Sequence, residues 1–264
     1  MDANKIIEIC NSYKLTFEKS CAKIKYENKG IFYSEMLLFC ALTKHLKVNN
    51  IYESGRARGQ STEILASFFC EDPFVKIISV EYNKFTSDSF IASERLKKYG
   101  NVQSLFGNSF LVLSRIIKKK PSIILIDGPK GHNALLLAAK LFKNTFVKAV
   151  FIHDSHKDSQ VRKTIEKLKT THFASDNKLF VNNYQHFDNN CWDEIEYQKP
   201  YQRQGIQVSS YGPTLTVLFN ENDLDLERMV IKEIGYDLEY KSPSFRYYLD
   251  RIKYMLPKFL ISKF

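Results

Sequence analysis

The chain has 264 residues, 44% hydrophobic and 26% charged, with a formal net charge of +10 from 39 basic and 29 acidic side chains. That composition excludes a disordered chain, and no apolar run approaches the roughly 18 residues of a membrane-spanning helix. The five cysteines (Cys10, Cys21, Cys40, Cys70, Cys191) form no C-x-x-C pair, and the N-terminus lacks the basic-then-apolar order of a signal peptide; both argue against a zinc or disulfide framework and for a cytoplasmic chain. Residues 1–48 are expected to form a helical cap, from a loose stripe of Ile6, Ile7, Cys10 and Phe17 and a firmer one of Met36, Leu37, Cys40, Ala41 and Leu46. Residues 49–220 then alternate. Strands are expected over Asn50–Ser54, Lys76–Tyr82, Val102–Phe106, Ser122–Asp127 and Lys148–His153. Helices are expected over Ser61–Phe69, Ser87–Tyr99, Phe110–Lys118, Asn133–Lys143 and Ser159–Thr170. Alternation of this kind implies an α/β fold, a mostly parallel sheet covered on both faces. Lys178–Asn182 and Thr214–Phe219 read as two further strands with no helix between them, hence an antiparallel pair.

The first strand runs into Glu53-Ser54-Gly55-Arg56-Ala57-Arg58-Gly59-Gln60-Ser61-Thr62. Gly55 and Gly59 allow a tight turn and close approach of a ligand, and Ser61 or Thr62 is placed to cap the next helix. A helix N-terminus at a strand end is the usual ligand crevice of an open α/β sheet. The spacing E-x-G-x-x-x-G differs from the dinucleotide pattern G-x-G-x-x-G. Glu81, at the tip of the second strand, can accept hydrogen bonds from ribose hydroxyls, and Asn108 after the third strand can meet an adenine edge.

In this order of motifs the chain resembles the class I S-adenosylmethionine-dependent methyltransferases. The segments YESGRARGQST, LIDGPKG and FIHDS are most similar to the small-molecule and sugar O-methyltransferase branch that includes cephalosporin-hydroxylase-like proteins. The resemblance implies a Rossmann-like, doubly wound, seven-stranded sheet with its last strand antiparallel. It implies S-adenosylmethionine as cosubstrate, with Glu53, Gly55, Gly59, Ser61, Glu81, Asn108 and Asp127 around it. Ala57 stands where a glycine is common, and Asn108 where an acid is frequent. Asp127 and Lys130 reproduce the Asp-x-x-Lys spacing of the metal-dependent, catechol-type O-methyltransferases, and Asp154 matches their second acidic ligand. A Mg²⁺ site on Asp127 and Asp154 is thus implied, with Ser155 where that family usually has Asn. Methyl transfer to an alcohol needs a base: Lys130, if its pKa is lowered, or His153.

Residues 183–213 hold Tyr184, His186, Phe187, Asp188, Trp192, Asp193, Glu194, Tyr197, Tyr201 and Tyr211. Aromatics and acids interspersed in this way suit a sugar or other small hydroxylated acceptor, or a self-packed loop, and argue against nucleic acid. Residues 221–264 are expected to form a helical extension. Its apolar face of Phe245, Tyr248, Leu249, Ile252, Met255, Leu256, Phe259 and Leu260 beside Arg246, Arg251, Lys253, Lys258 and Lys263 suits its own domain, a homodimer contact or peripheral docking on an anionic membrane. The rival readings are a nicotinamide-dependent oxidoreductase and a non-catalytic binding module on the same fold.

Overall fold

The computed structural model describes residues 1–27, 30–168, 170–189, 191, 202–203, 206–207, 211–220 and 226–240. Helices α1 (Ala3–Cys21) and α2 (Tyr33–His45) precede strand β1 (Asn50–Ser54). Then α3 (Gln60–Phe68), β2 (Lys76–Glu81), α4 (Ser87–Leu96), β3 (Val102–Phe106), α5 (Ser109–Ile116), β4 (Ser122–Ile126), α6 (His132–Phe142), β5 (Val147–Ile152) and α7 (Gln160–Leu168) follow in strict alternation. The chain continues through β6 (His172–Ala174), α8 (Lys178–Tyr184), a 3₁₀ turn (Gln185–Asp188), β7 (Gln202–Arg203) paired with β8 (Ile206–Gln207), β9 (Thr216–Phe219) and α9 (Leu226–Tyr240).

The main sheet has seven strands in the order β3-β2-β1-β4-β5-β9-β6. β1 to β5 are parallel to their neighbours, and β9 runs antiparallel to both β5 and β6. The single reversed strand is the late one, as the resemblance implied. Side chains alternate across the sheet with period two. Ile123, Leu125 and Phe151 enter the core under α1, α2 and α3, while Ile124, Ile126 and Ile152 enter the opposite core under α6, α7 and α9. Helix α2 is buried on all sides from Tyr33 to Thr43, so the N-terminal segment shares the sheet's core rather than capping it from outside.

One expected element is replaced. Lys178–Asn182 is not a strand but the start of α8, because the Asn177 side chain caps it through the Leu179 and Phe180 N–H groups. The strand beside β9 is instead the short β6, which lies between the expected elements. The amphipathic tail of 243–264 lies outside the described residues. No described helix is long and apolar enough to cross a membrane.

Candidate active site

The loop after β1 crosses the point where successive connections leave the sheet on opposite faces, β1 into α3 and β4 into α6. Ser54 O accepts the N–H groups of Asp127 (2.8 Å) and Gly128 (2.9 Å), which fixes the β1 and β4 tips together. Gly55 holds φ at +85°, and a Cβ there would lie 2.5 Å from Gly128 N. A side chain would therefore force the two tips apart. Gly59 is the N-cap of α3 at φ +79°, with Ala92 of α4 3.1 Å from where its Cβ would be.

Neither Ser61 nor Thr62 caps α3, contrary to expectation. Both hydroxyls turn inward to Glu53, Ser61 Oγ at 2.5 Å, and Ser79 Oγ joins them at 2.5 Å. Glu53 is fully buried among these donors, and burial raises its pKa against their hydrogen bonds. The structure thus places Glu53 and Ser61 beneath the loop, where they join β1, β2 and α3, and not on the open side of the crevice.

Glu81 reaches the loop itself. One carboxylate oxygen accepts the Arg56 and Ala57 N–H groups, each at 2.9 Å, and the other accepts the Tyr82 N–H at 2.7 Å. These three N–H groups fill three of the roughly four lone-pair sites of the carboxylate. Arg56, buried at 3% exposure, donates to Ser79 O and lies 5.0 Å from the centre of the Phe106 ring. Sequence reading missed it, since an arginine between two loop glycines gives no sign of facing inward. Asn108 is the N-cap of α5, its carbonyl oxygen taking the Phe110 N–H at 2.9 Å. That oxygen is a helix cap rather than an adenine contact. These residues suit S-adenosylmethionine: a glycine turn without side-chain bulk, a helix N-terminus and a half-buried carboxylate at the second strand tip.

The tips of β4 and β5 carry a chain of alternating charges. Asp127 Oδ1 meets Lys130 Nζ at 2.5 Å and His153 Nδ1 at 2.6 Å. Lys130 Nζ also meets Asp154 Oδ2 at 2.7 Å. On the inner side His153 Nε2 lies 3.4 Å from Glu35 Oε2, a buried carboxylate of α2. Glu35 in turn accepts the Phe32 N–H at 3.2 Å and the Ser175 hydroxyl at 3.1 Å. Its position three residues into α2 was a capping signal that the sequence reading passed over.

This chain of charges corrects both expected bases. Burial opposes the charge on Lys130, but Asp127 and Asp154 outweigh it and raise its pKa above the ordinary lysine value. Burial likewise opposes the charge on His153, and the same two aspartates raise its pKa to about 10. Near neutrality both are cations, and neither is a free base. The Asp127 carboxylate accepts from these two cations.

Mg²⁺ fits this donor set poorly. Ligating atoms of Asp127, His153 and Asp154 do lie within 4.8 Å of one another. Yet Asp127 Oδ1 is shared by two cationic donors, and Lys130 joins the two aspartates. Ser155, in the third ligand's place, is fully buried and turned into the sheet, bonding Ile152 O (2.8 Å), Thr214 O (3.1 Å) and Thr216 Oγ1 (2.7 Å). Asp154 holds φ at +56°, an uncommon conformation that aims its half-exposed carboxylate at Lys130.

Solved methyltransferases resemble this chain. The O-methyltransferase TomG of Streptomyces achromogenes, in complex with SAM, is 13% identical over 81% of this chain and 90% of its own, with a TM-score of 0.49. An O-methyltransferase of Bacillus cereus in complex with SAH is 13% identical over 79% and 90%, with a TM-score of 0.47. The SAH-bound methyltransferase of Podospora anserina is 12% identical over 83% and 95%, with a TM-score of 0.45. No protein-family profile and no curated protein sequence matches the chain.

Several residues expected to meet an acceptor are structural. Tyr184 is buried and donates to Ile7 O and Asn11 of α1. Phe187 packs edge-on against Phe17. Asp188 is buried at the α2 N-terminus, accepting the Ser34 N–H (2.9 Å), the Ser34 hydroxyl (2.6 Å) and the Tyr211 hydroxyl (3.1 Å). His186 lies exposed against Phe187. Trp192, Asp193, Glu194, Tyr197 and Tyr201 lie outside the described residues.

Proposed function

We propose that the chain is an S-adenosylmethionine-dependent O-methyltransferase acting on a small hydroxylated acceptor, with carbohydrates the first class to test. The observation that carries this reading is the pairing of two features on one sheet edge. A glycine loop held by Glu81 lies at the β1 and β2 tips, and a charged cluster lies beside it at the β4 and β5 tips. Crevices at this edge are the ligand sites of open α/β sheets. The cosubstrate would supply an electrophilic methyl group on a sulfonium. Gly55, Gly59 and the α3 N-terminus would receive it, with Glu81 accepting a ribose hydroxyl.

Displacement at a methyl group demands an in-line oxygen nucleophile and removal of its proton. Lys130 is the half-exposed cation of the cluster, so its ammonium would meet the acceptor oxygen and stabilise negative charge on it. The half-exposed carboxylate of Asp154 would take the proton, while buried His153 holds Asp127 in place. The test is release of S-adenosylhomocysteine from S-adenosylmethionine with a panel of sugars, sugar nucleotides and phenols. Turnover with one hydroxylated class, lowered roughly 10²-fold or more in Lys130→Met, is expected. Turnover only with amines would overturn the O-methyl assignment. Tight cosubstrate binding without turnover on the whole panel would favour the non-catalytic module.

A further inference from the structure

We infer that the cluster at the β4 and β5 tips carries its own fixed cations in the place of a divalent metal, Lys130 between Asp127 and Asp154 and His153 between Asp127 and Glu35, so that the site works without Mg²⁺. The inference rests on the methyltransferase reading only for what the cations do, not for where they are. Three carboxylates (Glu35, Asp127, Asp154) face two cations (His153, Lys130), which leaves one net negative charge along the chain of contacts. A divalent ion among them would meet two like-charged groups on the very oxygens it needs. Mg²⁺ also demands six oxygen ligands in near-octahedral array. The cluster supplies two aspartates, and the third position is lost because Ser155 spends its hydroxyl on Ile152, Thr214 and Thr216.

Glu35 adds a second carboxylate to the imidazole of His153. It comes from the buried helix α2, 1% exposed, and its carboxylate stands behind the imidazole on the side away from Asp127. Two carboxylates flanking one ring favour the imidazolium and hold it in the sheet. The second cation, Lys130, then gives the acceptor oxygen the positive charge that a metal would otherwise provide.

The test uses Mn²⁺ as the probe, read by its paramagnetic resonance signal, on the full chain and on Lys130→Met and Lys130→Arg. Lys130 is half-exposed, so both variants are expected to fold, which thermal melting checks. The wild type and Lys130→Arg are expected to leave the free Mn²⁺ signal undiminished. Lys130→Met, which removes the lysine from both aspartates and leaves His153 on Asp127, is expected to bind Mn²⁺ at least about tenfold more tightly than the wild type. Micromolar Mn²⁺ binding by the wild type would overturn the inference, and so would a Lys130→Met variant no better than wild type at binding the ion. A parallel titration of the same samples with S-adenosylhomocysteine in EDTA keeps the two readings apart. Failure there sinks the methyltransferase reading and leaves the metal result standing.

Discussion

Ala57 holds φ at +43°, where a Cβ is unfavourable, and its N–H is tied to Glu81. Substitution by glycine relieves the backbone, so Ala57→Gly is expected to leave thermal stability equal or raise it by up to ~1 kcal/mol. A β-branched Ala57→Val is expected to lower it by ~1–2 kcal/mol, read by denaturant unfolding. The reverse ranking would mean that the loop is not held in this conformation. Glu81 is the residue on which the cosubstrate assignment turns. Its removal in Glu81→Ala strips the Arg56 and Ala57 N–H groups of their acceptor and is expected to weaken S-adenosylhomocysteine binding roughly tenfold or more by calorimetry. Unchanged affinity would sink the ribose role. Residue identities at these tips were legible in the sequence because glycines and acids punctuate each strand-to-helix junction. Charge states were not. His153 is a cation because of Asp127, Asp154 and Glu35, Lys130 stays one against burial because of Asp127 and Asp154, and Glu35 comes from a helix far away in the chain.

At the scale of elements, Ser155 is a fastener between β5 and the antiparallel β9. Its hydroxyl is fully buried and reaches both the end of β5 and the start of β9. Ser155→Ala leaves those groups short of a partner and is expected to destabilise the chain by ~1–3 kcal/mol, measured by urea unfolding; a loss below about 0.5 kcal/mol would contradict the arrangement. The central strands were readable because continuous runs such as Ile123–Ile126 are buried on both faces. The region after α7 was misread for a physical reason. Lys178–Asn182 is a short apolar run whose period alone does not separate helix from strand, and Asn177 decides for helix by capping it. His172–Ala174 is three residues long, too short for any periodic signal, and is a strand only because β9 lies beside it.

For the whole molecule, Asp188 and His153 are two of the buried groups that make stability fall as pH rises. Burial pushes Asp188 up from 3.8 to about 7, against the hydrogen bonds of Ser34. Protonation therefore favours the fold, and this contribution is lost as pH rises from about 4 to about 7. For His153, burial is outweighed by Asp127 and Asp154, which raise its pKa from 6.5 to about 10. Its stabilisation is complete below about 6.5 and lost as pH climbs towards 10. The melting temperature is expected to fall steadily from pH 6 to pH 9, with a shallower slope in His153→Gln; a flat or rising profile would contradict the buried imidazolium. The sheet was legible as a whole from its alternation of strands and helices. The sharing of one core by α2 and the sheet was not, because burial on every side of a helix depends on what surrounds it. A crevice for S-adenosylmethionine at the glycine loop and Glu81 is tested by calorimetric titration of the full chain with S-adenosylhomocysteine, with NAD as the control. Micromolar binding of S-adenosylhomocysteine and no binding of NAD is expected. Tight NAD binding, or no binding of either ligand by folded protein, would contradict it.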